Sequence, residues 1–426
     1  MKLVLSSLLS RLIRQGTLTV TWPDGATTRY TGQSGPEAGV AFTSWAAVRR
    51  IARNPALGFG EAYMDGGVEP VGGTIYDVLD LLMFNFQHGA NHPVLSWHGA
   101  IGRLGRRLRE RNGIKTARRN VAHHYDLDSR LYSQFLDADQ QYSCAYFERG
   151  DETLEEAQLA KKHHIAAKLK LDRPGLRVLD IGCGWGGMAL TLAQDYGADV
   201  TGVTLSSEQL QLARARAEAA NLTSRVRFEL IDYREVTDRF DRVVSVGMME
   251  HVGAGNYGEY YRAVHDRLED DGVALIHHIG RSDGPGTTSA WLQKYIFPGG
   301  YSPALSETLP AIEKSGLMVT DIEVLRLHYA QTLRLWRERF AAHRDDIAHL
   351  YDERFCRMFE FYLVGAELAF RREREVVYQI QLAREQTALP LTRNYMMDPA
   401  APHRQKPAAL RHRVTAGGSG ADQPVR

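Results

Sequence analysis

A chain of 426 residues is longer than one core of about 150 residues accounts for, so two or three folded units are expected. Its composition, 44% hydrophobic and 24% charged, is that of an ordinary globular protein. Three scattered cysteines (Cys144, Cys183, Cys356) exclude a disulfide framework or a spaced zinc site and point to a reducing cytoplasm. The net charge of +1 hides a basic first quarter, since residues 1–120 carry 15 Lys and Arg against 8 Asp and Glu, and no stretch reaches the roughly 20 apolar residues that a membrane crossing needs.

In chain order, Val4, Leu5, Leu8, Leu9, Leu12 and Ile13 fall on one helical face, and Arg11 and Arg14 break the apolar run that a signal peptide would require. Strand-like runs at 17–22 and 27–30 and helical stretches at 45–53 and 75–86 predict a small α+β domain over residues 1–90. Residues 91–120 read as a linker, in which Arg103, Arg106, Arg107, Arg109, Arg111, Lys115, Arg118 and Arg119 are opposed only by Glu110. Such a run is either a solvated connection or an attraction to anionic lipid headgroups, worth about 1 kcal/mol per basic residue. No aromatic interleaving accompanies it, so nucleic acid is not expected. Residues 121–398 form the main unit: helical at 121–142, regularly alternating strands and helices at 176–280, and mainly helical at 304–390. The alternation predicts a parallel sheet with crossover helices, and the Pro-, Ala- and Gly-rich tail 399–426 is expected to be disordered.

The first strand of the alternating region, Arg177-Val-Leu-Asp-Ile181, runs straight into Gly182-Cys-Gly-Trp-Gly-Gly187. Glycines let the backbone turn sharply and approach a ligand, and the following helix offers free N–H groups. The preceding Asp180 and the missing Walker lysine favour a nucleoside bearing an amino acid, S-adenosylmethionine, over a dinucleotide or a triphosphate. Later strands end at Thr204, at Asp232-Tyr233, at Glu250 and at His277. Gln209, three residues after Ser206, is either a ribose contact or part of a helix cap, and Asp232 is either an adenine contact or a cap. In an open parallel sheet ligands lie outside the carboxyl ends of the strands, so Gly182, Thr204, Asp232, Glu250 and His277 are expected to converge on one crevice. Adjacent His277 and His278 point to opposite faces of a strand, so no shared metal is expected.

These residues resemble the cyclopropane fatty acid synthases, which act on phospholipid acyl chains, and the related mycolic acid cyclopropane synthases. The likeness runs through Leu57-Gly-Phe-Gly-Glu-Ala-Tyr-Met-Asp-Gly66, Tyr142-Ser-Cys-Ala-Tyr146, the glycine turn, Gly247-Met-Met-Glu-His-Val-Gly253, Ile276-His-His-Ile-Gly280, Lys294-Tyr-Ile-Phe-Pro298 and His328-Tyr329. The resemblance implies an α/β fold of the class I S-adenosylmethionine-dependent methyltransferase type, Rossmann-like, with a mostly parallel sheet covered by helices on both faces. A small α+β lipid-binding domain would precede it. It also implies a bicarbonate held by Cys144, Glu250, His277, Ile279 and Tyr329. The methyl donor would be met by Tyr125, Tyr142, Ser143, Asp180, Gly182, Gly184, Thr204, Gln209, Asp232 and Tyr233.

The chemistry implied is transfer of a methylene group to a cis double bond, with an apolar lining to keep water from a carbocation. Tyr142, Phe147, Tyr257, Phe297 and residues 359–362 are candidates for that lining. The partners expected are a bilayer surface on the inner face of the membrane, met peripherally from the cytoplasm, unsaturated acyl chains, and a second copy of the chain. The same fold can also stop at methyl transfer and make a methylene- or methyl-branched chain. A small-molecule methyltransferase would have little use for the first domain, and a lipid carrier without catalysis would not keep the whole site.

Overall fold

The computed structural model describes residues 1–88 and 129–397; the basic run, Tyr125 and the tail lie outside them. The first unit opens with the helix Lys2–Leu12 and holds a sheet of β1 (Gln15–Thr21), β2 (Thr27–Thr31), β3 (Gln33–Phe42) and β4 (Val68–Val71), in the order β2-β1-β3-β4. Trp22-Pro-Asp-Gly-Ala26 closes the β1–β2 hairpin: Asp24 accepts from the Ala26 N–H at 3.1 Å and Gly25 takes a φ of 80°. Leu18, Val20 and Trp22 point inward against Leu5, Leu9 and Leu12. The apolar face of the first helix is therefore spent on this core, although Leu3 and Val4 remain exposed. β3 and β4 were not expected; Gly35, Pro36 and Gly39 mask the first of them.

The second unit carries seven strands in the order β10-β11-β9-β8-β5-β6-β7. The members are β5 (Arg177–Ile181), β6 (Asp199–Val203), β7 (Val226–Glu229), β8 (Phe240–Val246), β9 (Leu268–Arg281), β10 (Met318–Leu325) and β11 (Glu375–Ala383). β5 to β9 run parallel, and β11 pairs antiparallel with both β9 and β10. This is the expected α/β fold. The last two strands correct the helical reading of 304–390, because β10 and β11 supply the antiparallel edge that covers β9. The strand order reverses between β5 and β8, the position at which such sheets bind ligands.

The helix Glu353–Arg372 joins the two units. Val364 and Leu368 belong to the core of the first unit, while Cys356, Phe359, Tyr362 and Leu363 belong to an aromatic core of the second. Polar ties reinforce the seam: Tyr63 Oη donates to Glu360 at 2.9 Å, Arg357 donates to the Tyr63 and Val68 carbonyls, and Arg372 pairs with Asp80 at 2.9 Å. Gly60 has no side chain because Trp291 lies there; a Cβ would come within 2.5 Å of its indole nitrogen.

Candidate active site

The turn after β5 makes the floor of a cavity of about 110 Å³, lined by Gly182, Gly184, Thr204, Gln209, Asp232, Tyr233, Gly247 and His251 among others. Gly184 has a φ of 54° and, among the described residues, nothing within 4 Å of where a Cβ would stand, so the backbone itself forms the surface. The helix Gly187–Tyr196 starts here and leaves its first N–H groups without helical partners. Asp180, expected to meet the methyl donor, is buried behind the turn and does not line this cavity; among the described residues its Oδ2 has no partner, and burial pushes its pKa up to about 7 against the opposing pull of Lys161. An open glycine floor and a helix N-terminus fit an amino-acid-bearing nucleoside. Several neighbours serve the fold as well. Ser206 caps the helix Ser207–Ala219, Thr204 Oγ1 donates to Gln209 Oε1 at 2.9 Å, and Asp232 caps a short turn while accepting from Arg234 at 2.7 and 2.8 Å.

A second cavity of about 310 Å³ adjoins the first through Gly247 and His251. The expected single crevice is thus two adjoining spaces. Cys144, Glu250, His277, Ile279 and Tyr329 line the second, as do Tyr142 and Ser143, which the sequence had assigned to the methyl donor. Glu250 stands on the short turn Met249–His251 after β8. Along β9, alternation sends His277 and Ile279 to one face and His278 to the other. Cys144 sits in a loop fixed from both sides: the Ala145 N–H donates to Thr332 Oγ1 at 3.0 Å, and Gln158 donates to the Ser143 carbonyl at 2.9 Å. Tyr329 comes from the first turn of the helix His328–Ala342.

The electrostatics of this wall follow from burial. Glu250 Oε1 accepts from the Ile279 N–H at 2.7 Å, Oε2 has no partner among the described residues, and desolvation pushes the carboxyl up to about 7 despite that bond. Burial lowers His277 well below its ordinary value and His251 to about 4, so both rings are neutral near pH 7. Burial likewise raises the Cys144 thiol, which stays protonated. A neutral imidazole and a thiol that can donate to an oxyanion, beside a carboxyl oxygen that can accept from its hydroxyl, fit bicarbonate on one concave wall. Behind the wall lies Lys161, fully buried, donating to Gln141 Oε1 at 2.6 Å and Ser143 Oγ at 2.8 Å. Asp139 does not pair with it directly, being shared by Lys162 and Arg216.

Aromatic rings complete the cavity. Tyr142 stacks on Trp336 at 5.2 Å and shares a 2.9 Å hydrogen bond with Tyr362, whose ring meets Phe297 edge-on at 5.6 Å. Phe147 and Tyr257 do not line it: Phe147 packs with Ala145 and Ala157, and Tyr257 is buried beneath the sheet with Tyr260 and Val264. Sequence reasoning missed His251, shared by both cavities, and Gln379, which touches His277 from β11. His251 was legible in the Met-Glu-His-Val motif; Gln379 lay in a stretch read as helix. Among the described residues no group of His, Cys, Asp and Glu is arranged to hold a metal ion, and no helix is long and apolar enough to cross a membrane.

Comparison with known proteins matches residues 113–380 to the mycolic acid cyclopropane synthetase family model and residues 4–90 to a domain of unknown function. The cyclopropane-fatty-acyl-phospholipid synthase of Escherichia coli (strain K12) is 40% identical over 338 residues, covering 79% of this chain and 85% of the relative. The tuberculostearic acid methyltransferase UfaA1 of Mycobacterium tuberculosis is 37% identical, covering 90% of this chain and 91% of its own length. Among solved structures, the cyclopropane synthase MmaA2 from Mycobacterium tuberculosis is similar with a TM-score of 0.60 and 34% identity, over 62% of this chain and 98% of that one. The mycolic acid cyclopropane synthase CmaA1, solved with S-adenosylhomocysteine, is similar with a TM-score of 0.59 and 33% identity, over 62% of this chain and 97% of that one.

Proposed function

The chain belongs to the mycolic acid cyclopropane synthetase family, and from this premise we infer that it is an S-adenosylmethionine-dependent enzyme that cyclopropanates the cis double bond of unsaturated phospholipid acyl chains. The observation that carries the reading is the wall of Cys144, Glu250, His277, Ile279 and Tyr329 in an aromatic-lined cavity that opens onto the glycine-turn pocket.

S-adenosylmethionine, held over Gly182 and Gly184 with Thr204, Gln209, Asp232 and Tyr233 around it, supplies an electrophilic methyl group. An isolated double bond is a poor nucleophile, so the second cavity must hold the alkene along that methyl's axis; Tyr142, Phe297 and Tyr362 supply the walls. Transfer would break the methyl–sulfur bond, release S-adenosylhomocysteine and leave the positive charge on carbon, where aromatic faces stabilise it and the lining excludes water. Ring closure then needs a proton removed from the new methyl group. Bicarbonate, held by Cys144, Glu250, His277, Tyr329 and the backbone at Ile279, would supply a base there. Glu250 is suited to receive protons near neutral pH, because burial has brought its carboxyl to about 7 while one oxygen has no partner among the described residues. His277 and Cys144, neutral at that pH, act as donors that hold an anion in place.

The first unit and the basic run 103–119 are read as the means of meeting an anionic bilayer surface peripherally, and two copies of the chain would grip it by avidity. A second reading is a fatty acyl methyltransferase making methyl- or methylene-branched chains, favoured by the likeness to UfaA1 and to a probable fatty acid methyltransferase of Pseudomonas putida, 42% identical over 260 residues. The test is to incubate the protein with S-adenosylmethionine and vesicles of monounsaturated phospholipid. Cyclopropanation predicts lipids heavier by one CH2 that resist hydrogenation at the former double bond. The same mass gain with hydrogen uptake supports branching, and no mass gain on any unsaturated lipid contradicts both.

A further inference from the structure

His277 lines the second cavity, and its behaviour there depends on what its ring nitrogens meet. β11 runs antiparallel to β9 with Gln379 directly opposite His277 in register, so both side chains leave the same face of the sheet. Gln379 is fully buried, and its amide nitrogen lies 3.1 Å from His277 Nδ1. The far end of the amide is already committed. Lys168, closing the helix Leu154–Lys168, puts Nζ 2.7 Å from Gln379 Oε1, and Lys168 is itself paired with Glu323, which also meets His164 Nε2 at 2.6 Å.

An ammonium has only hydrogens to offer, so the amide oxygen must face Lys168 and the amide NH2 must face the imidazole. His277 Nδ1 must then accept, and the single ring hydrogen resides on Nε2. The opposite amide orientation would set two donors against each other at Lys168 and leave a buried carbonyl oxygen facing Nδ1. Burial first, and the neighbouring charges of Lys161 and Lys168 after it, disfavour a second proton on the ring.

We propose that Gln379 is a positioning residue that locks His277 as the neutral Nε2–H tautomer, so that the imidazole donates a hydrogen bond to an oxyanion in the cavity and does not serve as a proton acceptor. The tautomer follows from the geometry alone; its use in the reaction rests on the functional reading above. Lys168 and Glu323 set the direction of the amide, which makes the chain Glu323–Lys168–Gln379–His277 a single polar support running in from β10.

The experiment uses the full chain labelled with [15N]histidine, and long-range 1H–15N spectra without any ligand. The His277 signals are identified by their loss in His277→Gln. The wild-type protein should show an unprotonated Nδ1 and a protonated Nε2 from about pH 6 to about pH 8, the range in which an unperturbed imidazole would titrate. In Gln379→Glu a carboxylate acceptor replaces the amide donor, so Nδ1 should become protonated. Turnover should fall about 10- to 100-fold, the usual scale for a group that orients an active-site histidine, while the KM for S-adenosylmethionine stays unchanged. A protonated Nδ1 in the wild-type protein overturns the proposal whatever the enzyme makes. An unchanged tautomer in a folded Gln379→Glu variant also overturns it, and if that variant fails to fold the wild-type spectrum still decides. The predicted tautomer in a wild-type protein that modifies no lipid sustains the proposal and counts against the functional reading instead.

Discussion

The two cavities are built in different ways. The donor pocket is lined by the glycine turn and by residues at and just after the ends of the parallel strands β5 to β8, with Pro298 as the one lining residue from farther along the chain. The second cavity is made of side chains drawn from a loop near 144, the turn after β8, strand β9, and the helices His328–Ala342 and Glu353–Arg372. One requires local geometry and the other requires the whole fold. Binding of the donor should therefore survive changes in the second cavity, and chemistry should not survive them.

The largest expected effect is on turnover. Glu250→Gln keeps shape and the capacity to accept from the Ile279 N–H but removes the ionisable oxygen, and turnover in the vesicle assay should fall at least about 100-fold, the lower end of general acid–base contributions. Next is Gly184→Val. A β-branched side chain at a φ of 54° is strained and would stand in the donor pocket, so affinity for S-adenosylhomocysteine should drop by about tenfold or more in calorimetric titration.

A third outcome concerns stability against pH. The folded-state pKa of Glu250 lies above its unfolded value, so its contribution is fully present below about pH 4 and is lost as pH rises through about 7. Gln at that position cannot ionise. Glu250→Gln should then be more stable than the wild type above pH 7, by up to about 3 kcal/mol, and the difference should vanish in acid; equilibrium urea unfolding at both pH values checks the sign. The smallest effect belongs to the seam between the units. Tyr63→Phe deletes one partly buried hydrogen bond to Glu360 and should cost about 1 kcal/mol in urea unfolding while leaving turnover intact.

The same contrast explains what could be read from the chain. The strands β5 to β9 and the turn at 182–187 were legible because short apolar runs and glycines carry their own local signal. The expectation that the residues at the strand ends meet was right for Gly182, Thr204 and Asp232 and only partly so for Glu250 and His277, which share their space with residues of helices far along the chain. β11 was missed for a physical reason. The helix Glu353–Arg372 runs into it through Arg374, a non-glycine residue at a φ of 60°, so neither glycine nor proline marks the change of period. With β11 went Gln379 and the register that brings it against His277. Phe147 and Tyr257, candidates for lining or for core packing by sequence, fill the core, because large rings near a motif serve either use.

The division of labour between the cavities is tested most directly by titrating S-adenosylhomocysteine into Glu250→Gln. The dissociation constant should lie within about threefold of the wild type, the scatter expected of independent sites, in a variant that has lost its turnover. An affinity that falls in step with turnover would contradict this division and make the two spaces one site.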